Sequence, residues 1–204
     1  MDPRLSSPAA RRNRDPILAV LRRMLPAQGA VLELASGSGE HAVWLAAHLP
    51  GLLFQPSDPD PASRASISAW IAHEGLPNVR APLALDAADE DWTLPGEIAE
   101  RLVAILCINM THVAPWQATL GLLRGAGRML RSGGVLYLYG PYKREGRDTA
   151  PSNAAFDASL RARDPAWGVR DLEDVVAAAG RAGLVVASVE EMPANNLSVV
   201  FRKT

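Results

Sequence analysis

Glu33, Gly37, Gly39 and Asp58 sit at spacings that suit a nucleotide-like ligand. The stretch VLELASGSGEHAVWLA, residues 31–46, passes from apolar residues through a loop of tiny ones into a helical pattern. Its GSGEHA fits G-x-G-x-x-A. Glycines in such a turn let the backbone approach a ligand closely, and an acid about 20 residues on, here Asp58, is placed to hold ribose hydroxyls. Asp60 offers a second acid just beyond it. Close packing alone also puts glycines between a strand and a helix, so the acids have to discriminate. Glu33 precedes the loop and Glu40 opens the helix. A pyrophosphate wants the free N–H groups and positive dipole of a helix start, where Glu40 would repel it. S-adenosylmethionine brings a sulfonium, an ammonium and one carboxylate, with no phosphate. Carboxylates at the loop favour it over a nicotinamide dinucleotide.

A second set of residues suits reaction rather than cofactor binding. Methyl transfer is a displacement in which alignment supplies much of the acceleration, and a base is required only where the acceptor must lose a proton. His112, in INMTHVAPW, can accept a proton near neutral pH, and Asn109, close before it at the same strand end, is expected as a cofactor contact. The plainer role for His112 is a hydrogen-bonded loop histidine. Tyr142, beyond Gly140-Pro141, suits an acceptor pocket better than Tyr139, which suits the core. The polar APSNAAFDASL follows a long loop and suits a substrate lid, with Asn153 and Asp157 toward the acceptor; Ser152 with Asp157 equally suits a helix start. PANN, residues 193–196, reads as a hairpin turn or as two asparagines facing the acceptor. Trp44, Trp70 and Trp92 suit packing, whereas Trp116 and Trp167 lie near loops and suit a pocket wall. His112, Tyr142 and Asn153 are thus the candidate catalytic residues, expected to face one pocket.

These residues need a frame. Strand-like apolar runs are expected at Ala30–Leu34, Leu52–Pro56, Val79–Leu85, Leu102–Asn109 and Gly134–Tyr139, with helices at Glu40–His48, Pro61–His73, Trp92–Glu100 and Trp116–Leu130. Asp15-Pro16, a cap followed by a proline at the first helical position, is expected to open a helix over ILAVLRRML. Buried strands alternating with helices argue an α/β parallel sheet with helices on both faces. GLVVASVEEM and NLSVVFRK, joined only by PANN, are expected to pair as an antiparallel hairpin on the sheet edge. That makes seven strands. In open α/β sheets ligands bind outside the carboxyl ends of the strands, which is where Asn109, His112 and Tyr142 fall.

Bulk properties narrow the function. A length of 204 residues with 48% hydrophobic composition suits one domain, 1–204, with a sizeable core. A net charge of -1 gives no electrostatic case for nucleic acid or an anionic membrane. The single cysteine, Cys107, lies in the apolar LVAILCINM and is expected as a buried thiol in a reducing compartment, without partners for a metal. No signal-peptide pattern and no membrane-length apolar run is seen, so a cytoplasmic protein without metal is expected.

LELASGSG resembles the first motif of class I methyltransferases, which implies Glu33 as its acid, Gly37 and Gly39 as its close-approach glycines and Ala35 within the cofactor loop. FQPSDPDP resembles that fold's second strand end, with Asp58 at the ribose-binding acid, and LALDAADEDW its third, with Asp86 and Ala87 toward the adenine edge. The segment carrying Arg12-Asn13 corresponds to one that closes over the cofactor in this fold, which implies a contact from Asn13. RRNRDPIL, GSGEHAVWLA, QPSDPD, CINMTHVAPW, LYGPYKREGRDTAPSNAAFDASLRARDPAWGVRDLEDV and MPANNLSVVFRK together resemble the methyltransferase-like 26 family, also known as domain of unknown function 938. The resemblance implies a Rossmann-like class I methyltransferase fold with a C-terminal antiparallel hairpin and a methyltransferase using S-adenosylmethionine. A small-molecule acceptor fits the absence of a basic stripe. Two rivals stand beside it. A non-catalytic S-adenosylmethionine-binding module would keep the loop without an acceptor site. An NAD(P)-dependent oxidoreductase would want a Tyr and a Lys on one helix, and only Tyr139, Tyr142 and Lys143 come near that.

Overall fold

The computed structural model of the protein describes residues 2–204. The residues up to Asp86 with Trp92–Leu106 form one compact unit, and Ala87–Asp91 with Cys107–Thr204 form a second.

The first unit opens with helix α1 (Pro8–Met24). Ser7 caps it by accepting from the Ala10 N–H at 3.2 Å, and Pro8 supplies the fixed φ of a first turn. The helix therefore starts well before the expected Asp15-Pro16, because Ser7-Pro8 carries the same signal earlier. Pro16 lies inside the helix, and Ile17, Leu18, Val20 and Leu21 form its buried face. Strand β1 (Gly29–Leu34) leads through the glycine loop to α2 (Glu40–His48), then β2 (Leu52–Pro56), α3 (Pro61–Glu74), the short α4 (Gly96–Ala99) and β3 (Leu102–Ile108), whose last residues belong to the second unit. β1 and β2 pair in parallel from Gly29↔Leu52 to Glu33↔Pro56, and both are buried along their length. That is why they read as unbroken apolar runs rather than alternating ones.

Two expected elements fail here for one reason, proline. Val79–Leu85 forms no strand; it makes only isolated parallel bridges, Phe54↔Val79 and Ser57↔Leu83. Pro82 has no N–H to donate, and beside it the Gln55 side chain takes the Ala81 carbonyl at 2.8 Å. The helix expected over Trp92–Glu100 shrinks to Gly96–Ala99 behind Pro95. A residue before proline is pushed out of the helical region, so Leu94 cannot extend that helix backward.

The second unit continues with α5 (Trp116–Met129), β4 (Val135–Gly140), β5 (Tyr142–Arg144), β6 (Arg147–Asp148), α6 (Pro151–Arg163), β7 (Arg170–Asp171), α7 (Leu172–Arg181), β8 (Leu184–Met192) and β9 (Asn196–Lys203). β9 pairs antiparallel with both β4 and β8, so the last strand lies inside and β8 outside, with a bulge between Val186 and Ser188. Pro193–Asn195 make a tight turn in which Ala194 and Asn195 are left-handed at φ 60° and 57°, and Asn196 opens β9. The main sheet has the order β2-β1-β3-β4-β9-β8, six strands rather than the expected seven. A three-stranded sheet, β6-β5-β7, takes β5 and β6 from the stretch read as a long loop and β7 from beyond α6. Its Glu145-Gly146 turn has φ of 50° and 73°, and the turn's N–H groups are held by Glu173 and Asp171.

Candidate active site

Each residue of the glycine loop has a separate task. The strand β1 ends at Leu34 and the next residue, Ala35, is left-handed at φ 55°, which turns the chain sharply. Ser36 ties the turn to the end of β2, giving its N–H to the Ser57 carbonyl at 2.9 Å. Gly37 is left-handed at φ 56°, and a Cβ added to it would meet nothing within 4 Å. Gly39 is left-handed at φ 89°, but a Cβ there would lie 2.9 Å from the Ile67 Cα. Of the two expected close-approach glycines, only Gly37 opens onto free space. Gly39 is a packing glycine that seats α2 on α3.

The acids separate in the same way. Asp58, buried after β2, accepts the Gly37 N–H at 2.9 Å through one oxygen and the Asp60 N–H at 3.0 Å through the other. Its carboxylate is thus locked to the glycine loop and keeps lone pairs for a further donor. Asp60 caps α3, accepting from both the N–H and the hydroxyl of Ser63. Of the two candidate acids, Asp58 bonds the glycine loop and Asp60 caps α3. Glu40, the carboxylate expected at the start of the helix, is committed to partners within the chain. It accepts from Ser7 N–H at 2.5 Å, Arg11 Nε at 3.1 Å and the Ser38 hydroxyl at 3.1 Å. A second stitch runs alongside, in which Ser66 accepts from the Leu5 N–H and donates to the Ser38 carbonyl. The Trp70 indole then donates to the Leu5 carbonyl.

Glu33 stands apart. It is 2% exposed, and its Oε2 has no hydrogen-bond partner among the described residues. Burial pushes its carboxyl up to about 7, with the Ser36 hydroxyl opposing the shift and the Asp58 charge adding to it. A buried carboxylate left without a partner is costly, and a cation would relieve it. Asn13 sits within α1 rather than ahead of the first helix, and its Oδ1 is bonded to His41 Nε2 at 2.7 Å. Burial holds His41 down to about 4, so its neutral ring donates to Asn13. The Oδ1 of Asn13, the residue expected to contact a cofactor, is therefore engaged by His41. Asp86 is exposed, with its carbonyl taken by the Trp92 indole, and buried Ala87 belongs to the second unit, where Gly121 of α5 packs on its backbone.

In the second unit, Asn109 follows β3 at φ 63° and gives its N–H to the Tyr139 carbonyl at 2.8 Å. Thr111, His112 and Tyr142 are all buried, and Thr111 Oγ1, His112 Nδ1 and Tyr142 OH each lack a well-formed partner among the described residues. Such atoms are rare in native cores. Burial lowers His112 to about 4, aided by the Arg170 charge, and raises the Tyr142 phenol, opposed by the nearby Thr111 hydroxyl. The His112 ring sits edge-on to Phe156, 5.5 Å between centroids, and so close to Gly140 that a Cβ there would lie 3.1 Å from it. The trio leads to a stability prediction. Tyr142→Phe removes a buried hydroxyl without a partner and raises unfolding stability by about 1 kcal/mol, readable in urea melts. A loss of more than that would mean the hydroxyl is satisfied.

Asn153 does not join this trio. Its amide donates to Thr149 Oγ1 at 2.8 Å and to the Asn195 carbonyl at 2.9 Å, while Asn195 donates to Ser152. It pins the start of α6 to the hairpin turn. Asp157 likewise binds Lys143 at 2.8 Å, Arg161 at 3.2 Å and the Val169 N–H at 2.7 Å. Short polar side chains in a helical stretch gave no clue to partners so distant in sequence. Thr111, Phe156 and Arg170 were missed, since nothing in their local spacing marks them.

Several solved structures share this fold. The S-adenosylmethionine-dependent methyltransferase SibL in its apo form is 22% identical with a TM-score of 0.76, covering 96% of this chain and 55% of that one. The mitomycin 7-O-methyltransferase MmcR is 15% identical with a TM-score of 0.78, covering 96% and 54%. Human N-acetylserotonin methyltransferase, solved in complex with S-adenosylmethionine, is 14% identical with a TM-score of 0.77, covering 96% and 52%. The chain spans about half the length of these proteins. At such identities the likeness concerns the fold, a class I S-adenosylmethionine-dependent methyltransferase fold. In sequence, residues 4–203 match the family described as "Protein of unknown function (DUF938)", and the chain belongs to that family.

Proposed function

We propose that this protein is a methyltransferase using S-adenosylmethionine on a small molecule, with residues 1–204 acting as one domain, in line with its resemblance to the methyltransferase-like 26 family. The observation that carries the reading is Glu33. A buried carboxylate with one oxygen lacking a partner, at the mouth of a loop whose Gly37 faces open space, suits a ligand that is cationic and approaches the backbone closely. It suits a pyrophosphate poorly. Glu33, Gly37 and Asp58 are the residues that would hold the cofactor, Glu33 by charge, Gly37 by leaving room and Asp58 by its remaining lone pairs. Bound there, the cofactor would supply an electrophilic methyl on a sulfonium. His112, kept neutral by burial, takes the proton of a hydroxyl acceptor, and Tyr142 and Thr111 orient that acceptor. The small-molecule acceptor draws support from the names of two fold neighbours, which methylate mitomycin and N-acetylserotonin.

Calorimetry with S-adenosylmethionine and with NAD separates the readings. Binding of S-adenosylmethionine with no heat from NAD is expected, and NAD affinity without an S-adenosylmethionine response would sink the proposal. Cofactor binding with no transfer to any hydroxylated metabolite pool would favour the non-catalytic module instead.

A further inference from the structure

The residues that hold His112 in place come from a segment far along the chain. Arg170 donates through Nε to the Thr111 carbonyl at 3.0 Å, and through Nη2 to the Ala114 carbonyl at 2.6 Å and the Ala166 carbonyl at 2.8 Å. The Gly168 N–H donates to the carbonyl of His112 itself at 3.0 Å. The turn that carries His112 is thus gripped at residues 111, 112 and 114 by residues 168 and 170. The grip is itself anchored: the Val169 N–H bonds Asp157 Oδ1 at 2.7 Å, and Asp157 is held by Lys143 and Arg161. Gly168 stands at φ 149°, and a Cβ there would lie 2.7 Å from Asp157 Oδ1 and from Arg161 Nη2, so only glycine lets this segment approach α6.

We propose that Arg170 is a positioning residue for His112, its guanidinium fork fixing the 111–114 backbone and with it the aim of the imidazole. The inference rests on His112 being the proton acceptor of the reaction proposed above. A fork is needed because two carbonyls on either side of His112 take bonds from different nitrogens of one planar group, which a lysine ammonium cannot reproduce. The faces of His112 are otherwise quiet. Phe156 of α6 and Gly140 of β4 carry no charge, and Lys143, Asp148, Asp157 and Arg161 form an ion cluster of their own. Arg170 is the charge that His112 feels, and it adds to burial in keeping the ring unprotonated. One side chain thereby serves both the place and the protonation state of the base.

The test uses the full-length protein with Arg170→Met and Arg170→Lys, read by NMR titration of labelled histidine and by hydrogen exchange over residues 110–116. In Arg170→Met the His112 titration is expected to move up by about one pH unit or more, and exchange in the turn to quicken by about tenfold or more. Arg170→Lys is expected to quicken exchange while leaving the titration nearer that of the natural protein, because the charge stays and the fork is lost. A folded Arg170→Met protein with unchanged titration and unchanged exchange would overturn the proposal. Should Arg170→Met not fold, the lysine variant decides through exchange alone, faster supporting and unchanged overturning. Calorimetry of S-adenosylmethionine with the natural protein tests the enzymatic reading separately, since its failure leaves the histidine titration and the exchange untouched.

Discussion

Gly39→Val is expected to lose about 3–5 kcal/mol of stability from overpacking and left-handed strain combined, while Gly37→Val stays folded and loses S-adenosylmethionine. The two glycines stand two positions apart and share a left-handed backbone, so sequence pattern treats them alike. Their surroundings do not. At position 39 the first added carbon already meets the α3 backbone at 2.9 Å, and backbone cannot step aside as a side-chain tip can. At position 37 the same carbon meets nothing, and valine costs only the left-handed strain, about 1–2 kcal/mol. The branched side chain then occupies the space over the loop, and affinity is expected to fall by about 100-fold or more, equivalent to about 2.7 kcal/mol. Thermal melts and calorimetry on both variants give the answer. A Gly37→Val protein that binds normally would show that the ligand lies elsewhere.

The second large effect belongs to Glu33→Gln, which is expected to stabilise the ligand-free protein at pH 8 and leave it unchanged at pH 4. The Glu33 carboxyl is raised in the folded state from 4.5 to about 7. Below pH 4.5 it is neutral in both folded and unfolded chains and costs nothing. Between pH 4.5 and 7 the unfolded chain ionises first, so stability drains away as pH rises through that window, to a total of about 3 kcal/mol. Glutamine does not ionise and escapes the loss. His41 and His112 tilt the other way: both are lowered to about 4, so acid below 6.5 favours the unfolded chain through them. The natural protein's own pH profile mixes these slopes, and only the difference between natural and Glu33→Gln proteins isolates the carboxylate. Urea melts at pH 4, 6 and 8 should show the two proteins diverging as pH rises, and parallel profiles would contradict the burial argument. The same variant should bind S-adenosylmethionine at least tenfold more weakly, for want of a negative partner.

Much of the frame was legible because burial on both faces leaves a plain signature. β2 and α2 fall where the apolar runs and helical spacing put them, and β1, β3, β4 and α5 differ by a residue or so at an end. The failures are those of competing local signals. Ser7-Pro8 and Asp15-Pro16 both say helix start, and pattern alone cannot tell that the chain passes straight through the second. Val79–Leu85 has the composition of a strand, but Pro82 denies it a ladder. The small sheet β6-β5-β7 is built from strands of two or three residues, too short for any periodicity to register. The positions of the glycine loop and of Asp58 in the fold were readable because one strand–turn–helix unit fixes the loop and the end of the next strand, β2, carries Asp58. Asn13, Asn153 and Asp157 were not, since a polar side chain's partner is chosen by the fold: His41, Asn195 and Val169 lie 28, 42 and 12 residues away. Arg170 escaped notice for the same reason, as the two partners that flank His112 lie 56 and 59 residues upstream.

The stitching of Leu5 and Ser7 onto Ser66, Trp70 and Glu40 has a consequence for how the chain comes off the ribosome. Synthesis is vectorial, so residues 5–7 emerge long before Ser66 and Trp70, their partners 61 and 65 residues later. Until α3 has cleared the exit tunnel, the Ser66 hydroxyl cannot bridge Leu5 to Ser38, and the glycine loop waits half-tied. Residues 5–7 are thus made well before the α3 residues that fix them, and the tie from Leu5 through Ser66 to the Ser38 carbonyl closes only once α3 is present.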